Sequence, residues 1–171
     1  GAYAVLRLLA REIPRLTGEP ATDEDISEGK YAGIVKDLTV VTATDGNHGR
    51  SAAWGARQFG CAARIYMHAG VSDERRKAVE DLGAVVVRVD GSYDESVHAA
   101  DADAAANGWF IVSDTSYPGY MELPRHVMAG YTVMTAEIID QLPPGSPPSH
   151  VFVQGGVGGL AGAVCSHFWQ K

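Results

Sequence analysis

Leu38-Thr39-Val40-Val41-Thr42-Ala43-Thr44-Asp45-Gly46-Asn47-His48-Gly49-Arg50 decides the fold. Leu38 to Thr42 is a short β-branched, apolar run and reads as a buried strand. From about Asn47 to Phe59 the pattern is helical, and Gly60 is the stop signal. The same strand-then-helix grammar repeats outward. Ala63 to Met67 is a second strand. Ser72 then offers a helix N-cap, with Asp73 and Glu74 where the helix dipole favours acids. That helix is expected to reach Leu82 and to end at Gly83. Ala84 to Val89 is a third strand, a helix follows from about Tyr93 to Ala106, and Trp109 to Val112 is a fourth strand. Strands separated by helices of this length pair in parallel, because only a crossover returns the chain to the same edge. The expectation is an α/β fold built on an open parallel sheet.

On either side the chain is mostly helical. Leu6, Leu9 and Ile13 share one face of an opening helix, and Asp23 to Glu28 suggests a short one. A long helix is expected from about Leu123 to Leu142, with Val127, Tyr131, Met134 and Ile138 as its core stripe. Pro143 to Pro148 is a connector. His150 to Val153 reads as a further strand, with a helix beginning near Val157.

Composition bounds the rest. The chain has 171 residues, 46% hydrophobic and 20% charged, which are globular proportions. No apolar run approaches the ~18 residues of a membrane helix, and no basic stretch followed by an apolar one opens the chain, so neither a membrane span nor a signal peptide is expected. A net charge of -7 argues against nucleic acid as a partner. Cys61 and Cys165 match no zinc or redox spacing and are expected to be buried small hydrophobes in a reducing, cytoplasmic setting. No His, Asp or Cys spacing suggests a metal: Asp101-Ala102-Asp103 lies in an alanine-rich helical stretch and reads as a solvated face, as does the charge run Arg75-Arg76-Lys77.

Glycine is the excess, 20 residues, and it concentrates in two loops. Thr44-Asp45-Gly46-Asn47-His48-Gly49 leaves a strand and opens a helix, where unpaired N–H groups favour an anion. Asp45 or Asn47 capping the helix explains it equally well. Gln154-Gly155-Gly156-Val157-Gly158-Gly159-Leu160-Ala161-Gly162 is the second. Its glycines exceed what a turn needs, and successive N–H groups there suit a phosphate. Gly156 to Ala161 also meets a loose dinucleotide fingerprint.

Thr44 to Arg50, Asp114-Thr115-Ser116-Tyr117-Pro118-Gly119-Tyr120 and Gln154 to Gly159, in that order, resemble the fold-type II pyridoxal-phosphate enzymes. Asp45, where dehydratases and cysteine synthases of that family carry Ser or Thr, resembles the branch of ammonia-lyases acting on 2,3-diaminopropionate. The resemblance spans nearly the whole chain. It implies a three-layer α/β lobe over residues 38–122. A helical segment over 1–37 and a helix, connector and phosphate loop over 123–171 would then belong to a second, larger lobe. It further implies pyridoxal 5'-phosphate as cofactor, cradled by Gly155, Gly156, Val157, Gly158 and Gly159, with Asn47 on the pyridine 3' oxygen. The substrate carboxylate would meet the loop of Thr44, Gly46, His48 and Gly49, and Asp45 and Asp114 would be the acid–base pair. The implied reaction is elimination from 2,3-diaminopropionate to pyruvate and ammonia. The implied partners are a small amino-acid substrate and a second copy in a homodimer.

One requirement is unmet. Such an enzyme holds its cofactor through a lysine, and Lys30, Lys36, Lys77 and Lys171 all stand in surface-like settings. By the resemblance the lysine would precede Gly1. The chain is thus expected to be a slice of a longer enzyme, or a truncation, inactive alone and exposing apolar faces meant for the larger lobe. A serine or threonine dehydratase, a non-catalytic ligand-binding remnant and a nicotinamide enzyme remain the alternatives.

Overall fold

The computed structural model describes residues 1–170. The helices are α1 (Ala2–Thr17), α2 (Asp23–Ser27), α3 (Ala32–Val35), α4 (Asn47–Phe59), α5 (Asp73–Glu80), α6 (Tyr93–Asn107), α7 (Glu122–Gln141) and α8 (Gly159–Trp169). The strands are β1 (Thr39–Ala43), β2 (Ala62–His68), β3 (Val85–Val89) and β4 (Phe110–Ile111). All pair in parallel, in the order β3-β2-β1-β4.

Alternation along the strands sorts side chains into two cores. Val40, Ile65 and Met67 face the layer of α1 and α4 and join Ala4, Val5, Leu8, Leu9, Ile13, Ala52 and Ala56. Val41, Ala43 and Tyr66 face α6 and join Ala100 and Ala104. The result is the three-layer sandwich expected of the parallel α/β sequence. Small residues make the packing close: the backbone of Ala2 lies 2.7 Å from where a Cβ on Gly55 would stand.

Local signals placed most elements. Ser72 caps α5, its hydroxyl accepting from the Arg75 N–H at 3.5 Å. The helix ends at Glu80, not Leu82, and passes through a tight turn to Gly83, with N–H donors of Leu82 and Gly83 reaching Val79 and Glu80. At the start of α6, the Glu95 carboxylate accepts from both the N–H and the hydroxyl of Ser92. Those bonds hold the Glu95 carboxyl below its ordinary value. A carboxylate lowered by folding stabilises above its unfolded value of about 4.3 and loses that contribution as pH falls through its folded value. The melting temperatures of the parent and Glu95→Gln should therefore differ at neutral pH and converge below about pH 4. A difference unchanged down to pH 3 would show that the cap is not the source.

Four expectations are corrected. His150 to Val153 forms no strand: Phe152 is 94% exposed, and no described strand lies beside it to complete a ladder. Helix α8 accordingly starts at Gly159, two residues beyond Val157. The α7 stripe is core only at its N-terminal end, where Val127 is buried and Tyr131 half-buried, while Met134 and Ile138 are exposed. Cys61 is buried, but Cys165 is exposed on α8. Asp101 and Asp103 are both exposed on α6, in keeping with a solvated face, and Asp103 also accepts a hydrogen bond from the hydroxyl of Tyr66. No described helix is long and apolar enough to cross a membrane.

Candidate active site

Both glycine loops open onto one cavity of about 530 Å³, within the range of small-molecule sites. It lies at the carboxyl end of β1, the usual ligand position in open α/β sheets. Of the expected residues, Thr44, Asp45, Gly46, Asn47, His48, Asp114, Gly156, Val157, Gly158 and Gly159 line it. Gly155 and Gly49 do not. Gly155 is exposed on the approach to the second loop. Gly49 is buried behind the first loop, where an added Cβ would stand 2.3 Å from Thr44 Cγ2.

The first loop is latched by its own threonine. Thr44 Oγ1 accepts from the N–H of Gly46 at 3.0 Å and of Gly49 at 3.2 Å. The first internal bond of α4 runs from Arg50 N–H to Gly46 O. The N–H groups of Asn47 and His48 are left without a helical carbonyl and are available to an anion at the start of α4. Gly49 thus contributes by packing and by its bond to Thr44, whereas Asn47 and His48 supply the free donors.

The second loop repeats the geometry. Gly158 caps α8 at φ 88°, a left-handed conformation that favours glycine. The first internal bond of α8 joins Gly162 N–H to Gly158 O at 2.9 Å. Gly159, Leu160 and Ala161, all lining the cavity, keep their N–H groups for a ligand.

Asp114 arrives on a loop pinned by Tyr120. The Tyr120 hydroxyl accepts from Ser113 N–H at 2.9 Å and donates to Ile111 O at 3.0 Å. Its ring stacks on Tyr117 at 5.0 Å. Burial pushes the Tyr120 hydroxyl up to about 12, so it stays protonated and the pin holds across the neutral range. Tyr93 and Tyr131 also line the cavity, their hydroxyls raised by burial and then by Asp114. His48 is buried. Its Nε2 lies 2.7 Å from Val112 O, which fixes the proton there, and Nδ1 has no partner. Burial, opposed by Asp114, holds this imidazole below its ordinary value and hence neutral.

Four residues of the site escaped the sequence reading, among them Tyr131, expected only as part of the α7 core stripe. Arg75, taken with the surface charge run, lines the cavity and donates from Nη1 to Asp45 O at 3.2 Å. His68 lies 3.1 Å from Asp45 Oδ1. Tyr93 was read only as a helix start. Nothing local marks them: His68 and Arg75 come from the β2–α5 junction, Tyr93 from the start of α6 and Tyr131 from α7, and only the fold brings them to one cavity. Lys30, Lys36 and Lys77 do not line the cavity, and Lys171 lies outside the described residues. Among the described residues no group of three His, Cys, Asp or Glu side chains gathers as for a metal.

The donor set fits a phosphate-bearing cofactor. One helix end leaves three N–H groups free, which suits a phosphate; a second leaves two, which suits a carboxylate; and Nδ1 of the buried His48 has no partner of its own. The chain belongs to the pyridoxal-phosphate dependent enzyme family, whose pattern matches residues 19–171. Within it, the chain is similar to diaminopropionate ammonia-lyase of Escherichia coli (strain K12), 38% identical over 168 residues, which covers 98% of this chain and 41% of that protein. The crystal structure of the E. coli diaminopropionate ammonia lyase in apo form superposes with a TM-score of 0.86 at 37% identity, covering 98% of this chain and 45% of that one. A chloroplastic biosynthetic threonine dehydratase of Arabidopsis thaliana is 30% identical over 128 residues, 75% of this chain and 20% of that protein. The chain therefore spans less than half the length of these relatives.

Proposed function

We propose that this chain forms the substrate-facing part of a pyridoxal-phosphate lyase that converts 2,3-diaminopropionate and water to pyruvate and two molecules of ammonia. The observation that carries this reading is the convergence of two anion-binding helix ends and two carboxylates, Asp45 and Asp114, on one cavity. When bound, pyridoxal phosphate supplies the electron sink that makes the substrate Cα–H removable. The N–H groups of Gly159, Leu160 and Ala161 hold its phosphate, and Asn47 faces its ring. The N–H groups at the start of α4 orient the substrate carboxylate. Asp45 and Asp114 divide the proton work: one takes the Cα proton, and the other protonates the amine leaving Cβ, since a free amine leaves badly. The neutral, half-buried Tyr93 and Tyr131 and the buried His48 form part of the cavity wall around that pair, with the Arg75 guanidinium beside Asp45. None of Lys30, Lys36 or Lys77 serves as the lysine that holds the cofactor.

The proposal extends to the domain plan, with residues 38–122 as the small lobe and 1–37 and 123–171 as parts of a larger one. The exposed Val133, Phe152 and Trp169 support apolar surface meant to be covered. Two free cysteines support a reducing, cytoplasmic setting, and a homodimer is the proposed assembly.

A substrate panel on the full-length protein tests the activity. Diaminopropionate is expected to give pyruvate faster than serine does, and threonine to give little 2-oxobutyrate. Preference for threonine or serine would favour the dehydratase reading, against which Asp45 stands.

A further inference from the structure

We infer that His68 is the positioning residue of Asp45, holding its carboxylate in the orientation that proton transfer needs; this rests on the acid–base role proposed for Asp45. The parallel register pairs Ala43 of β1 with Tyr66 of β2. Asp45 and His68 each lie two residues beyond that pair, so adjacent strands deliver both side chains to the same end of the sheet. His68 Nε2 stands 3.1 Å from Asp45 Oδ1.

The tautomer follows from the other nitrogen. Gly70 N–H donates to His68 Nδ1 at 3.1 Å. A neutral ring that accepts at Nδ1 carries its proton on Nε2 and donates it to Asp45. The ring can sit this close only over a glycine: a Cβ on Gly70 would stand 2.8 Å from His68 Cε1. The turn after β2 is therefore shaped around one orientation of the imidazole.

Asp45 needs such a partner. Its side chain is 61% exposed, against 24% for His68, and an exposed carboxylate with no fixed bond samples several rotamers. The Arg75 guanidinium holds the backbone carbonyl of Asp45 rather than its carboxylate. Asp114, Tyr93, Tyr131 and His48, the other titratable groups lining the cavity beside Arg75, make no hydrogen bond to Asp45. With Oδ1 tied to His68, Oδ2 is left for the proton. Partners that orient metal-ligating side chains are worth about 10- to 100-fold in affinity or activity, and a loss of that order is the scale expected here.

The test uses full-length, cofactor-loaded enzyme. His68→Leu should lower kcat about tenfold or more with KM changed far less. His68→Gln, whose amide N–H2 reaches the place of Nε2, should restore most of it. In an Asp45→Asn background His68→Leu should add less than twofold. Nitrogen NMR of histidine-labelled parent enzyme should show His68 protonated at Nε2, which also decides the matter should the Leu variant fail to fold. His68→Leu with full activity while Asp45→Asn is dead would overturn the inference and leave the proposed function standing. So would a KM effect alone, a loss carried undiminished into the Asp45→Asn background, or a ring protonated at Nδ1. Full activity of Asp45→Asn would instead overturn the acid–base role itself.

Discussion

Asp45→Asn is expected to lower elimination from one enantiomer of 2,3-diaminopropionate by about 100- to 10,000-fold, the range for losing a positioned acid or base. Asparagine keeps the size of the side chain and can still accept from His68 Nε2, 3.1 Å away in the parent. It can neither take nor give the proton. The substitution therefore separates chemistry from geometry. Cofactor affinity should not change, because the donors assigned to the phosphate are the N–H groups at the start of α8. Single-turnover rates on each enantiomer, with cofactor binding followed by visible absorbance, check both halves of the expectation. Unchanged turnover of both enantiomers would remove Asp45 from the proton path and leave Asp114 as the only carboxylate of the proposal. Loss of cofactor binding would mean that the loop is structural to the whole cavity.

Gly49→Ala should be the most damaging small substitution in the same loop. The new methyl would meet Thr44 Cγ2 at 2.3 Å and Ile65 Cγ2 at 2.8 Å, far inside contact distance. Neither neighbour can yield cheaply. Ile65 is fully buried in the main core. Turning Thr44 would break both bonds that its hydroxyl accepts, from Gly46 and Gly49. Overpacking of this kind costs about 1–3 kcal/mol, sometimes more, and each kcal/mol lowers the melting temperature by roughly 2–4 °C at this chain length. Activity should fall with stability, because the latch that aims the Asn47 and His48 N–H groups is the part displaced. Gly33→Ala is the control, with nothing within 4 Å of its Cβ position. It should be neutral or slightly stabilising. Equal melting temperatures for the two variants would show that the loop relaxes around the methyl and that the close approach is not needed.

The two substitutions probe what was legible at different levels. The composition of the Thr44 to Gly49 loop was visible as a strand-to-helix anion loop, and the resemblance to fold-type II enzymes singled out Asp45 within it. That Gly49 packs while its neighbours bind was not visible, because both uses select the same residue. The glycines of the second loop divide likewise, Gly156 and Gly158 lining the cavity and Gly155 standing outside it. The charge run at Arg75 misled for a related reason. Arg76 pairs with Asp73 and Glu80 on its own helix, as a surface arginine does, while its neighbour Arg75 turns to the carbonyl of Asp45.

The sequence by itself determined whatever depends on neighbours a few residues away. Strand composition, helix caps at Ser72 and Gly60, and glycines at loop positions placed most elements and both anion loops, because backbone conformation is chosen locally. Only the tertiary structure decided what depends on partners from elsewhere. His150 to Val153 has strand composition but no described partner, and a ladder needs two strands. His68 and Arg75 looked like ordinary polar residues until the parallel register and the packing of α5 brought them to Asp45, across 23 and 30 positions of sequence. Contacts at that separation leave no periodic trace in the chain; they are fixed by which strand lies beside which.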